Sequence, residues 1–215
     1  MRGQGGRPQA AQQQASPNND LWLKTSVGIE YKIDPQWSFH FDSELVIDRD
    51  ISRLRALHVR PGFEYAFSPK WAAAAGYVQF QRYPTGLQTQ RGSFQDLLHR
   101  TRLGGVFFNG RLRAEELFSD NGSLLGRTRA LIGVRIPIGD SPWEFAASDE
   151  VFLNLKVGGT NYQSGVHQNR AYAGFGRAIS PSIKLSAGYE LDTFERNGIF
   201  RNMHLVRVGF AFKLN

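Results

Sequence analysis

Two kinds of residue alternate in the segment Leu21-Trp22-Leu23-Lys24-Thr25-Ser26-Val27-Gly28-Ile29-Glu30-Tyr31-Lys32-Ile33. Its odd positions are Leu, Leu, Thr, Val, Ile, Tyr and Ile, and its even positions are Trp, Lys, Ser, Gly, Glu and Lys. Successive residues of a strand point to opposite faces, so the pattern predicts a strand with one apolar and one polar face. A helical period would mix the two kinds of residue on every face.

The same alternation recurs along the rest of the chain, and no segment has a convincing amphipathic helical period. The predicted strands cover residues 21–33, 37–48, 57–67, 71–77, 99–108, 111–118, 127–138, 143–155, 167–179, 183–191 and 204–214. No stretch approaches the 18–20 apolar residues that a membrane-spanning helix needs, which excludes a helical membrane protein. The absence of cysteine excludes a disulfide scaffold and thiolate zinc sites.

The connections between these segments alternate in length. Short turns cover residues 34–36, 68–70, 109–110, 139–142 and 180–182, and longer polar connections cover 48–55, 83–94, 119–126, 156–165 and 192–202. We therefore predict an all-β fold, a single antiparallel up-and-down transmembrane β-barrel of 10–12 strands with short periplasmic turns and longer external loops. Eleven segments is an odd count, which leaves open whether residues 8–19 cross the lumen or add a strand, or whether one segment lies outside the wall.

Two regions differ in composition. Residues 1–19 are rich in Gln, Ala, Gly and Pro and predict a disordered tail, and residues 20–215 form the predicted barrel. The tail has no apolar core of the kind that a secretory signal contains, so we expect the export signal to be absent or already removed. The formal net charge is +7, but the basic residues are spread over nearly every strand, which argues against nucleic-acid binding.

Three tryptophans predict a membrane interface. Trp37, Trp71 and Trp143 each directly follow a short proline-containing turn, so they are expected at one height of the barrel. Indole rings prefer the boundary between membrane and water. A soluble core also uses tryptophan in strands, but three in register favour an aromatic girdle.

The polar face is predicted to line the lumen, because so many ionised groups cannot fill an apolar core. Basic residues outnumber acidic ones on this face. The predicted lumen-lining residues are Glu30, Lys32, Asp42, Glu44, Arg60, Glu64, Arg100, Arg102, Arg111, Arg113, Arg127, Arg129, Arg135, Glu150, Arg170, Glu190 and Arg207. These residues predict either structural ion-pair ladders that fill a narrow lumen or a narrow pore with a weak anion preference.

Two other functions stay open at this stage. Ser38, His40 and Asp42 share one strand face and are the residue types of a hydrolytic triad, which would suit an outer-membrane lipid-modifying hydrolase. Same-face neighbours lie about 6.5–7 Å apart, which is too far for direct hydrogen bonds without side-chain reach. The third possibility is a soluble β-barrel that binds an apolar ligand. We expect no metal site and no cofactor, and the expected partners are outer-membrane lipid and the barrel-assembly machinery.

Several stretches resemble the bacterial outer-membrane family called domain of unknown function 2490. The resemblance runs over roughly residues 20–215, and the residues that carry it are Asp20-Leu21-Trp22, Gly28–Ile33 with Trp37, Gly62-Phe63-Glu64-Tyr65 with Ser68–Trp71, Asn169–Gly176, Ser180-Pro181, Gly188-Tyr189-Glu190 and His204–Phe210. It implies an outer-membrane β-barrel and supplies no catalytic residues. One departure is the last residue, Asn215, where outer-membrane barrels usually have an aromatic residue that the assembly machinery reads.

Overall fold

A computed structural model describes residues 21–83, 87–155, 164–196 and 198–214. These residues form strands and turns only, and none of them belongs to a helix long and apolar enough to cross a membrane. The predicted tail at residues 1–19 lies outside the described residues. The strands are β1 (Trp22–Lys32), β2 (Trp37–Asp48), β3 (Arg53–Ala66), β4 (Trp71–Arg82), β5 (Gln88–Leu103), β6 (Val106–Ser119), β7 (Leu124–Pro137), β8 (Trp143–Leu155), β9 (Gly165–Ser180), β10 (Ile183–Arg196) and β11 (Ile199–Leu214).

The strands close into one barrel in which each strand is antiparallel to its neighbours in sequence. The closing pair is different, because β1 and β11 run parallel, with Trp22 opposite Leu205 and Tyr31 opposite Leu214. In an up-and-down order, eleven strands leave the first and the last running in the same direction. The all-β barrel is therefore confirmed, and the prediction of uniformly antiparallel pairing is wrong at this one seam.

One predicted turn lies inside a strand. Asn109 and Gly110 belong to β6, and the actual turn between β5 and β6 is Gly104-Gly105, with φ angles of 55° and 85°. Two residues with positive φ form the type I′ hairpin turn, for which Asn-Gly and Gly-Gly are both typical. Because the true turn also has two residues, the predicted inward assignments of Arg100 and Arg111 are unaffected.

The connections at the two ends differ less in length than the sequence predicts. We call the end with the connections 33–36, 67–70, 104–105, 138–142 and 181–182 the short-turn end, and the opposite end the loop end. At the loop end the strands continue into the predicted loops, so that residues 49–52 and 120–123 replace the expected 48–55 and 119–126. Residues 88–93 are polar or glycine and belong to β5, where Gln90 points inward and donates to Ser119 Oγ at 3.0 Å.

The outer wall is mainly apolar. Phe63, Ile132 and Phe175 are 53%, 70% and 52% exposed on alternate positions of their strands. The wall also has polar positions, since Gln95 and Glu116 point outward from β5 and β6. A large exposed apolar surface is normally covered by another molecule, and around a transmembrane barrel the lipid bilayer covers it.

At two places on the inner wall an aromatic ring packs directly on the backbone, and at each place two glycines lie opposite each other on neighbouring strands. Gly62 lies opposite Gly76, and a Cβ at Gly76 would stand 2.2 Å from Pro61 O and 2.8 Å from the Phe94 ring. Gly174 and Gly188 form the second pair, which Tyr172 covers in the same way. Aromatic rings over cross-strand glycines fix strand register and curvature.

Gly76→Ala is expected to lower the free energy of unfolding by about 1–3 kcal/mol, because the added methyl group meets backbone atoms that cannot move aside. Urea titration of folded protein in detergent, followed by the heat-dependent gel shift of barrels, measures the change. Gly110→Ala is the matched control, since its Cβ meets nothing closer than 3.9 Å. Equal stability of the two variants would show that the close approach does not constrain the strand.

Candidate functional site

Charged side chains from opposite parts of the wall meet inside the barrel. Lys24 on β1 bonds Glu190 on β10, and Arg111 on β6 reaches Glu150 on β8 at 2.6 Å. Each of these pairs skips the strand between them. Side chains can meet in this way only on the concave side of the wall, so the contacts place this face in the lumen.

Glu150 is the centre of one part of the cluster. Its carboxylate accepts hydrogen bonds from Arg111 and Arg129, and it lies 3.7 Å from Arg170. Arg129 also donates to Glu115 at 3.0 Å. One acid therefore holds three guanidinium groups from three different strands.

The contacts continue in both directions along the wall. On one side Glu115 lies 3.7 Å from Arg113, which donates two 2.7 Å hydrogen bonds to Asp96. On the other side Arg170 lies 3.3 Å from Glu190, which also contacts Arg207 at 3.1 Å. We call the continuous series Asp96, Arg113, Glu115, Arg129, Glu150, Arg170, Glu190 and Lys24 the ion-pair belt.

The belt is almost completely buried. Glu190, Glu115 and Arg129 are 0%, 2% and 4% exposed. Side chains with so little exposure contact other side chains instead of water, so the lumen is filled at this height. The strands outside the belt also contribute buried inward groups, among them the Glu44–Arg60 pair at 3.1 Å.

Apolar side chains form two clusters on the loop side of the belt, next to buried polar side chains such as Asp48 and Asn154. Val78, Phe80, Phe94, Leu117 and Leu125 form one buried cluster. A second consists of Val46, Ala56 and Leu205, with Trp22 and Met203 packed against it. The inner face in this half therefore combines the expected polar side chains with apolar clusters that help to close the barrel.

The other half of the lumen is open to solvent at the short-turn end. A cavity of about 770 Å³ lies there between β5, β6 and β7, and we call it the cup. None of its described lining residues is a carboxylate. The cationic side chains that line it are Lys70, Arg100, Arg102, Arg111 and Arg135.

A smaller cavity of about 320 Å³ adjoins the cup and shares Asn109, Leu131 and Arg135 with it. Its lining includes Glu144 and Arg207, so it is less one-sided in charge. Arg111 lines the cup and also bonds the belt carboxylate of Glu150, so the belt forms the floor of the cup.

The predicted lumen residues occupy inward positions of the strands, although their environments differ. Arg113, Arg129, Glu150 and Glu190 are buried in the belt. Nearer the short-turn end Arg100 donates to Glu64 at 2.6 Å and Lys213 lies 3.9 Å from Glu30. The remaining predicted residues are Lys32, Asp42, Glu44, Arg60, Arg102, Arg111, Arg127, Arg135, Arg170 and Arg207.

Phe107 and Asp96 are among the inner residues that lie outside the set predicted to line the lumen. The predicted strand at residues 99–108 would place Phe107 on the face opposite to Arg100 and Arg102, whereas the structure has it inside, where it lines the cup. Asp96 lies between the predicted loop at residues 83–94 and the predicted strand at residues 99–108, so it is not part of the predicted lining set. The alternation of Phe94, Asp96 and Leu98 with exposed Gln95 and Leu97 is the signal that could have found it.

The proposed triad residues share the inner face of β2 without hydrogen bonds to one another within the described part of the chain. Ser38 is buried and accepts a 3.3 Å hydrogen bond from Lys32 Nζ. His40 Nε2 lies 3.4 Å from Glu64 Oε2 without hydrogen-bond geometry, and Asp42 is exposed. The nucleophile–base–orienter contacts that the chemistry requires are therefore not assembled.

Trp37, Trp71 and Trp143 point outward at the short-turn end, each as the first residue of its strand. They are 44%, 41% and 44% exposed. Trp37 packs on Tyr65 and Trp71 on His99, so each indole rests against a neighbouring strand. Their common exposure fits a girdle, which stays a prediction. No group of three or more metal-ligating side chains occurs among the described residues.

The closed wall, the apolar exterior and the charged interior define the class of the molecule, a porin-like β-barrel. The chain belongs to the family described as "Protein of unknown function (DUF2490)", whose model matches residues 19–203. The fold is similar to a solved structure of the NanC porin in a rhombohedral crystal form, with a TM-score of 0.54 and 15% sequence identity. That similarity covers 91% of this chain and 99% of the porin chain. A search of curated proteins finds no significant match.

Proposed function

We propose that this protein is an integral barrel of the bacterial outer membrane whose lumen is closed in the conformation described. Its apolar exterior and outward tryptophans support insertion in a bilayer. The porin-like fold and the family of the chain support the same membrane, with lipid and the barrel-assembly machinery as the expected partners.

The filled lumen is the observation that carries the proposal. Buried ion pairs occupy the interior at mid-height of the barrel, and two apolar clusters lie between them and the loop end. Bulk permeation needs a continuous aqueous path, as in porins with wide barrels. The role that fits this interior is that of a structural barrel, or of a low-conductance pore that opens only when the belt and the apolar clusters rearrange together.

A weak anion preference follows for any current that the barrel does carry. The cup is lined by cations, and a positive lining attracts anions and repels cations. Ions entering from the short-turn end pass this lining before they meet the belt.

Planar-bilayer recording of protein that shows the heat-dependent gel shift tests the proposal. We expect no steady conductance, and brief openings whose reversal potential in a salt gradient indicates anion selectivity. A large steady current would contradict the closed lumen. Solubility as a monomer without detergent would contradict membrane insertion and favour a soluble barrel that binds an apolar ligand.

A further inference from the structure

The cup is accessible from one end only. Arg100 and Arg135 have 53% and 46% of their side chains exposed, so solvent reaches the lining from the short-turn end. The belt closes the opposite side through Arg111 and Glu150. A molecule that enters this cavity must leave by the same mouth, which suits binding better than permeation.

The cations of the cup are unequally compensated. Arg100 and Arg111 each donate to a carboxylate at 2.6 Å. Arg135 lies 3.8 Å from Glu144, which is also bonded by Lys184. Within the described residues, no carboxylate lies within 4 Å of the remaining guanidinium, that of Arg102.

Arg102 and Arg135 are held against the same ring. Their guanidinium carbons lie 4.6 Å and 5.2 Å from the centroid of Phe107. The ring face attracts each cation, while the two cations repel one another. An anion bound to both would remove that repulsion and use the paired N–H donors of each guanidinium.

We propose that the cup binds a small molecule or headgroup through a phosphate group, with Arg102 and Arg135 as its direct ligands. A phosphate dianion balances two incompletely compensated cations, whereas one carboxylate balances only one. The volume of about 770 Å³ lies within the range of small-molecule sites. The Asn109 side chain lines both adjoining cavities and adds a polar contact. This inference rests on the proposed function, because the cup has a single opening only if the lumen is closed.

Calorimetric titration of the folded protein in detergent with inorganic phosphate, at low salt, tests the proposal. We expect saturable binding that Arg102→Gln and Arg135→Gln each weaken at least ten-fold, with Arg102→Lys intermediate because it keeps the charge and loses the planar fork. Arg49→Gln, at an exposed loop-end position, is the matched control and is expected to bind as the unaltered protein does. Binding that is absent, or that the cup variants do not weaken relative to this control, would overturn the proposal.

A short-chain phosphatidic acid, titrated as a monomer in the same way, distinguishes the two sources of phosphate. Competition between it and inorganic phosphate supports a lipid headgroup that enters from the rim, and binding of inorganic phosphate alone supports a soluble ligand. If Arg102→Gln does not show the heat-dependent gel shift, Phe107→Leu replaces it, since loss of the ring releases both guanidinium groups. A conducting barrel that still binds phosphate contradicts only the closed lumen, and a closed barrel without binding contradicts only this site.

Discussion

Glu150→Gln is expected to increase the frequency of anion-conducting openings, because it weakens the belt, which is one of the barriers in the lumen. The Glu150 carboxylate is shared by three guanidinium groups, and its neutral replacement leaves Arg111, Arg129 and Arg170 with an uncompensated charge. Mutual repulsion then favours movement of Arg111, which is already 22% exposed, toward solvent in the cup. Because the substitution removes one charge from buried ion pairs and leaves their partners uncompensated, we also expect the free energy of unfolding to fall by about 3–5 kcal/mol.

Single-channel recording and urea titration measure the two effects on the same preparation. Asp149→Asn is the matched control, because it removes a carboxylate from the adjacent residue, which faces outward and pairs with Asn169. The double variant Glu150→Gln/Arg129→Met restores the charge balance and is expected to reduce the current again. Equal currents from Glu150→Gln and Asp149→Asn, or a folded Glu150→Gln barrel without current, would show that the belt does not limit ion flow.

The barrel itself could be predicted from the sequence because strand alternation is a local property. Most residues of Leu21–Ile33 indicate their face through their own polarity, and the structure has β1 at Trp22–Lys32. Arg100 and Arg111 point inward as predicted although the turn between them lies elsewhere. The direction of a strand side chain depends only on whether the residue is an odd or an even number of positions from a residue of known direction. Gly104-Gly105 and Asn109-Gly110 have equivalent turn chemistry, and only pairing with β4 and β7 decides between them.

The contents of the lumen could not be predicted in the same way. Which acid pairs with which base depends on register and on contacts across a skipped strand, as between Arg100 and Glu64, and nothing in the local sequence encodes these. Val78 and Phe94 also break the rule that apolar residues face lipid. Their burial results from closure of the barrel at one height, which is a property of all the strands together.

Arg113→Met is expected to be among the most destabilising single substitutions in the belt, costing about 3–5 kcal/mol of unfolding free energy. Arg113 is 3% exposed and donates both of its bonds to Asp96 at 2.7 Å. Its guanidinium carbon also lies 4.2 Å from the centroid of the Phe94 ring. Removal of the cation leaves the Asp96 carboxylate buried and uncompensated. The neighbouring acid, Glu115, carries the same charge and cannot compensate it.

Arg113→Met/Asp96→Leu is expected to recover most of that loss, because a buried ion pair replaced by apolar groups of similar volume is often neutral or stabilising. The new side chains would extend the apolar cluster that already contains Phe94 and Leu117. Urea titration of both variants separates two roles for the pair. Recovery to within about 1 kcal/mol of the original protein would mean that this ion pair adds little net stability. The charges of the belt would then serve to close the lumen or to select ions. A double variant as unstable as the single one would instead mean that the bidentate geometry itself holds β5 to β6, and that the belt is primarily structural.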